Sequence, residues 1–107
     1  METPYITVEE LKRKRDHHDL LVLLDVRWDR ELEIASILGA IHIPMDQIAG
    51  RLGELDTSKE IIVVCHTGNR SGRVTSFLIA HGFPKARNLQ GGIHAWSQRI
   101  DPSVPLY

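Results

Sequence analysis

The stretch Ile61–Phe83 reads IIVVCHTGNRSGRVTSFLIAHGF. Four apolar residues, Ile61 to Val64, run straight into Cys65, as in a strand buried on both faces. The polar run His66-Thr67-Gly68-Asn69-Arg70 follows. Val74, Phe77, Leu78 and His81 then fall on one helical face, which predicts a helix over Ser71–His81. Gly82 suits the left-handed position after a helix end, and Pro84 stops any continuation. A strand, a tight loop and a helix in that order place Cys65 at the carboxyl end of a strand, facing a helix N-terminus. Open α/β sheets bind their ligands at such ends.

The same pattern repeats along the chain. Leu20–Val26 (LLVLLDV), Ala40–Pro44 (AIHIP), Glu60–Cys65 and Ala86–Gln90 (ARNLQ) read as strands. Helices are predicted near Val8–Arg15, Arg30–Ser36, Asp46–Leu55, Ser71–His81 and Gly92–Arg99. Thr7 and Glu10 have the spacing of a capping box for the first of these. Strands apolar throughout, alternating with helices, imply a parallel sheet covered on both faces. With 107 residues, 42% hydrophobic and 25% charged, the expectation is one α/β domain over residues 1–107. The tail DPSVPLY, with its two prolines, reads as an extended strap.

Charge and composition narrow the function classes. A formal net charge of -1 provides no global field for nucleic acid or an anionic membrane. The basic run Lys12–Arg15 fits the end of a short helix, where cations complement the dipole, better than a nucleic-acid patch. No apolar run approaches the roughly 20 residues of a membrane span. The opening METPYITVEELKRKRDHHD lacks an apolar core of signal-peptide type, so a cytoplasmic location is the default expectation. One cysteine permits neither an internal disulfide nor a CxxC site. The six histidines, at 17, 18, 42, 66, 81 and 94, have no metal-ligand spacing with another ligand type. His17-His18 reads as a helix-end pair. His42 is expected to face solvent or a hydrogen-bond partner. There is no GxSxG elbow and no Walker lysine.

The candidate site is therefore the loop itself. A helix N-terminus offers unpaired N–H groups and the positive end of a dipole. Gly68 lets the loop turn tightly, and its N–H groups can converge on an anion. Arg70 and Arg73 add positive charge at the rim. Each feature favours a thiolate over a thiol and so makes Cys65 a candidate nucleophile. The plain alternative is a buried structural cysteine, which needs neither the glycine, the helix start nor the arginines.

The sequence CHTGNRS after an apolar strand resembles the active-site loop of the rhodaneses, the single-domain sulfurtransferases. The resemblance extends over nearly the whole chain. LLDVR (Leu23–Arg27), GAIHIP (Gly39–Pro44) and GFPKARNLQGGIHAW (Gly82–Trp96) are similar to three further family motifs, in the family's order. Ala35-Ser36 stand where the family usually has Gly-His, and His66 stands where it often has arginine. The resemblance implies an α/β/α sandwich on a five-stranded parallel sheet of order 3-2-4-5-1. It implies a persulfide on Cys65, with His66, Thr67, Gly68, Asn69, Arg70 and Ser71 forming the active-site loop and Arg73 on its rim. Asp25 and Arg27 would support the loop, and Gly91-Gly92 and Trp96 would serve structure. No metal or organic cofactor is implied. The partners implied are a small sulfur donor such as thiosulfate and a thiol, thioredoxin-like or sulfur-carrier protein acceptor. The ending WSQRIDPSVPLY looks like the close of rhodanese domains fused to enzymes that activate ubiquitin-like sulfur carriers. Phosphatases and arsenate reductases share the fold, and the phosphatases place five residues between cysteine and arginine. Here four intervene, His66 to Asn69, which favours sulfur transfer. A rhodanese-like binding module without turnover is the alternative from another class, and such modules often lack the cysteine.

Overall fold

The computed structural model describes residues 3–107. The chain runs β1 (Tyr5–Ile6), α1 (Val8–Asp16), β2 (Val22–Asp25), α2 (Asp29–Ile34), β3 (Ile41–His42), β4 (Ile61–Val64), α3 (Asn69–Ala80), β5 (Ala86–Leu89) and α4 (Gly92–Arg99). Two 3-10 turns, Met45–Gly50 and Leu52–Glu54, lie between β3 and β4. The five strands form one parallel sheet in the order β1-β5-β4-β2-β3, which read from the other edge is 3-2-4-5-1.

Strand alternation divides the core into two halves. Ile62 and Val64 of β4 join Leu23, Leu89, Val8, Leu11, Ile93 and Trp96 on the face covered by α1 and α4. Ile61, Val63 and Cys65 join Leu24, Ala86, Val74, Leu78 and Phe83 on the face covered by α3. Burial on both faces explains why the central strands are apolar throughout. The alternation also sets the direction of the thiol, because Cys65 follows Val64 and so falls on the α3 side.

The structure corrects several boundaries. The predicted helix Asp46–Leu55 is two 3-10 turns; Gly50 and Gly53 interrupt it and weaken an α-helix. The second helix stops at Ile34, and Ala35 is extended (φ -156°, ψ 144°), with its carbonyl oxygen accepting from the buried Arg27 guanidinium at 2.8 Å. The strand predicted over Leu20–Val26 starts only at Val22, with Leu20 91% exposed. The third helix begins at Asn69 rather than Ser71, so Arg70 belongs to its first turn. The residue pattern marks four strands; the fifth that the resemblance implies is the edge strand β1, whose two residues are too short to show a period.

The capping box is present, with Glu10 N–H donating to Thr7 Oγ1 at 3.1 Å. Gly82 takes φ +95° after α3, and His17 closes α1 with His18 in the left-handed region (φ 58°). The basic run is engaged within the chain. Lys12 pairs with Asp16, Lys14 with Asp19 and Glu60, and Arg15 donates to the Leu38 carbonyl and lies over Trp96. Among the described residues no helix is long and apolar enough to cross a membrane.

Candidate active site

The carboxyl ends of β2, β4 and β5 meet at one edge of the sheet. Asp25 is level with Val64, and Val63 is level with Asn88. Cys65, 1% exposed, follows β4 directly. Its sulfur accepts two hydrogen bonds, from the Gly68 N–H at 3.1 Å and from the Ser71 hydroxyl at 3.1 Å. The chain returns on itself at Gly68, where φ is +108°, and α3 starts at the next residue. Only glycine takes this conformation readily, and a Cβ here would stand 3.3 Å from the Gly91 nitrogen.

Asn88, at the end of β5, braces both ligands of the sulfur. Its amide Nδ2–H donates to the Gly68 carbonyl at 3.0 Å, which turns Oδ1 toward the Ser71 hydroxyl at 2.5 Å. The start of α4 closes the site from below. The Ile93 and His94 N–H groups donate to the carbonyls of Cys65 and His66 at 2.9 and 3.0 Å. This approach is close enough that a Cβ on Gly92 (φ +61°) would lie 2.5 Å from both carbonyl oxygens. Gly91-Gly92 thus does more than turn the chain, since it lets α4 reach the strand end that carries the cysteine.

Arg70 points its guanidinium at Glu31, a residue sequence reasoning missed. Nη1 and Nη2 donate to the two carboxylate oxygens at 2.6 and 2.8 Å. Glu31 is buried in α2 and also accepts from the Trp28 N–H (3.1 Å) and the Tyr107 hydroxyl (2.8 Å). The hydrogen bonds from Arg70 lead these donors in holding the Glu31 carboxyl down at about 2. Burial raises the Tyr107 hydroxyl above its ordinary value.

Asp25 and Arg27 form a second pair, both buried. Arg27 Nε and Nη2 donate to Asp25 Oδ1 and Oδ2 at 2.9 and 2.7 Å. The rest of the guanidinium reaches the carbonyls of Ala35 (2.8 Å) and Glu31 (3.3 Å) and the Tyr107 hydroxyl (2.8 Å). Arg27 therefore meets the cysteine loop indirectly, through α2 with Glu31 and Arg70 and through Tyr107, which contacts His66. The remaining side chains of the loop differ in their engagement. Thr67 and Asn69 are exposed and form no side-chain hydrogen bond among the described residues. His66 stacks on the Tyr107 ring at 3.9 Å, and its Nε2–H donates to the Tyr107 main-chain oxygen at 2.6 Å. Arg73 is exposed on the flank of α3, beside Met45, Ile48 and Phe77. His42 finds its partner in the Arg27 carbonyl, at 2.7 Å. Among the described residues no three His, Cys, Asp or Glu side chains cluster as a metal site.

Asn88 had left a trace in the sequence, a polar residue inside a short strand. Glu31 and Tyr107 had not, because they lie 39 and 37 positions from Arg70 and only the tertiary fold brings them near it.

The five-stranded parallel sheet has the strand order that the resemblance implies. Residues 7–99 match the model described as "Rhodanese-like domain", and the chain belongs to that family. It is 37% identical to YtwF of Bacillus subtilis (strain 168), which carries a sulfurtransferase name, over 95% of this chain and 98% of that one. It is 36% identical to "Adenylyltransferase and sulfurtransferase MOCS3-2" of Zea mays, over 99% of this chain and 23% of that one. The chain spans about half, or less, of the length of the first curated relatives it matches. A solved structure, the rhodanese-like domain protein of Staphylococcus aureus, superposes with a TM-score of 0.85 at 35% identity, covering 97% of this chain and 98% of that one.

Proposed function

We propose that the protein is a sulfurtransferase that carries sulfane sulfur as a persulfide on Cys65. The observation that supports this most is the cradle at the sulfur, with a loop N–H and a hydroxyl both donating to it from 3.1 Å. Donors fixed in this way stabilise an anion without reorganising when it forms. In the first step the Cys65 thiolate attacks the outer sulfur of thiosulfate or a similar donor. A sulfur–sulfur bond forms at Cys65 as the donor's own sulfur–sulfur bond breaks. Sulfite leaves with the bonding electron pair, and the terminal sulfur on Cys65 carries the negative charge. A thiophilic acceptor then attacks that sulfur and regenerates the thiolate, which is covalent ping-pong catalysis. Gly68 and Ser71 hold the anion, and His66, Thr67, Asn69 and Arg70 border the path to it. Asp25 and Arg27 support the loop through α2.

These 107 residues contain no second thiol, so the persulfide is not resolved as an internal disulfide. The acceptor is external: a small thiol, a thioredoxin-like protein or a sulfur-carrier protein. The relatives named for sulfur transfer and sulfur carriage support that reading.

Mass spectrometry of the intact protein tests the proposal. Incubation with thiosulfate should add one sulfur atom, about 32 Da, and Cys65→Ser should abolish the adduct. Absence of the adduct with every sulfane donor, together with hydrolysis of p-nitrophenyl phosphate, would transfer the site to the phosphatase reading.

A further inference from the structure

We infer that Glu31 sets the charge of the sulfur donor: by cancelling Arg70 at the mouth of the loop, it adapts the site to donors with one negative charge rather than two. This rests on the sulfurtransferase reading and narrows its substrate class. The basis is a set of two bidentate ion pairs behind the loop. Arg70 is held bidentately by Glu31, and Arg27 bidentately by Asp25. The two arginines and two carboxylates together carry no net charge. Tyr107 joins the pairs, accepting from Arg27 and donating to Glu31, both at 2.8 Å. With the Trp28 N–H, Glu31 has four donors on its two oxygens, so the carboxylate is locked in place and Arg70 with it.

The two ligands on the sulfur itself, the Gly68 N–H and the Ser71 hydroxyl, are neutral. The remaining basic side chain near the helix start, Arg73, lies on the flank of α3 beside Met45, Ile48 and Phe77. Among the described residues, a thiosulfate dianion entering this mouth meets dipoles and a paired Arg70, while Arg73 stands off on the flank of α3. A thiosulfonate or a persulfide brings one charge, and the cradle at Cys65 offers two neutral donors to one sulfur. Glu31 thus acts through Arg70 as a positioning residue. It orients the guanidinium and removes its excess charge.

Glu31→Gln keeps the shape and removes the carboxylate charge. The assay compares sulfur transfer from thiosulfate, a dianion, and benzenethiosulfonate, a monoanion. Both lose a sulfur-oxyacid leaving group, so charge is the main variable. Removing one negative charge acts twice as strongly on a dianion, and the fold-changes are therefore related as a square. We expect kcat/KM to rise about 9-fold for thiosulfate and about 3-fold for benzenethiosulfonate at low ionic strength, with both gains shrinking in 1 M salt. Equal changes for the two donors, or equal losses, would overturn the inference and leave Glu31 a structural brace. Should Glu31→Gln not fold, the wild-type protein gives the answer through salt alone. With the ion pairs cancelled, the charge that the thiosulfate dianion meets is that of the Cys65 thiolate itself, so kcat/KM for thiosulfate should stay level or rise with ionic strength; a steep fall would reveal a free cation and overturn the inference. If wild-type Cys65 accepts sulfur from neither donor, the sulfurtransferase reading fails, and this inference with it.

Discussion

Replacing Arg27 with methionine tests the support beneath the loop. The side chain is fully buried, and its guanidinium donates to both oxygens of Asp25, to the Ala35 and Glu31 carbonyls and to the Tyr107 hydroxyl. Methionine has a similar reach and none of these donors. Asp25, itself 1% exposed, would keep only the backbone N–H of residue 27, at 3.1 Å. Breaking a buried ion pair by removing one partner costs about 3–5 kcal/mol. An orphaned buried carbonyl at Ala35 adds about 1–3 kcal/mol. Local repacking and settling of the tail return part of this. The expected loss is about 4 kcal/mol, which for a domain of this size lowers Tm by about 15–30 °C. Urea unfolding followed by circular dichroism measures it. Adding Asp25→Val to Arg27→Met removes both members of the pair, and at least half of the loss should return, because a buried pair replaced by apolar groups is often neutral. A single variant that loses less than about 1 kcal/mol, or a double variant no better than the single, would refute the claim that this ion pair organises α2.

Two further outcomes follow from the same geometry. Gly92→Ala forces a Cβ against the Cys65 and His66 carbonyl oxygens, so α4 must draw back from the loop; we expect about 2 kcal/mol or more of destabilisation and sulfur uptake slower by about 10²-fold, read by mass spectrometry against Gly50→Ala, whose Cβ meets open space. Unchanged uptake in Gly92→Ala would show that the approach of α4 is dispensable. The Glu31 carboxyl, held at about 2 first by Arg70, lies below its ordinary 4.5, so its contribution is present above that ordinary value and is lost as pH falls toward 2. In wild type the urea midpoint should fall more between about pH 6 and about pH 3 than in Glu31→Gln, by an amount equivalent to at most about 3 kcal/mol; parallel profiles would argue that the Arg70 pair adds nothing.

How much of this could be read in advance depended on distance along the chain. The central strands announce themselves because burial on both faces demands apolar runs, and IIVV before Cys65 satisfies that demand locally. The turn at Gly68, the capping box at Thr7 and the helix stop at Gly82 are equally local, each written within a few residues. Asp46–Leu55 carried apolar residues at helical spacing, but Gly50 and Gly53 sufficed to turn it into 3-10 turns. Glu31 is an ordinary first-turn acid until Arg70 arrives from 39 residues away. Tyr107 is likewise an ordinary tail aromatic until its hydroxyl meets the same carboxylate. Pairings of that kind leave no period and no spacing. The sequence therefore shows where Cys65 stands but not that Arg70 is neutralised.

That neutralisation changes how the sulfur is held. Reading the two arginines as bare cations would make charge the main support of the Cys65 anion. In the folded protein, Arg70 is engaged by Glu31, and the groups touching the sulfur are a peptide N–H and a hydroxyl. Asn88 disciplines both, since its Nδ2–H holds the Gly68 peptide and its Oδ1 competes with the sulfur for the single proton of Ser71. While Cys65 is a thiol, the Ser71 hydroxyl can point at Asn88 and accept from S–H. In the proposed thiolate, the same hydroxyl would turn toward the sulfur, a rotation about one bond with no movement of the backbone. Dipoles of this kind are screened by salt far less than exposed charges are. They also hold a terminal sulfur anion less tightly than a free guanidinium would. In the proposed relay, where Cys65 receives a sulfur atom and surrenders it to an acceptor, a cradle of neutral donors serves each half of the cycle.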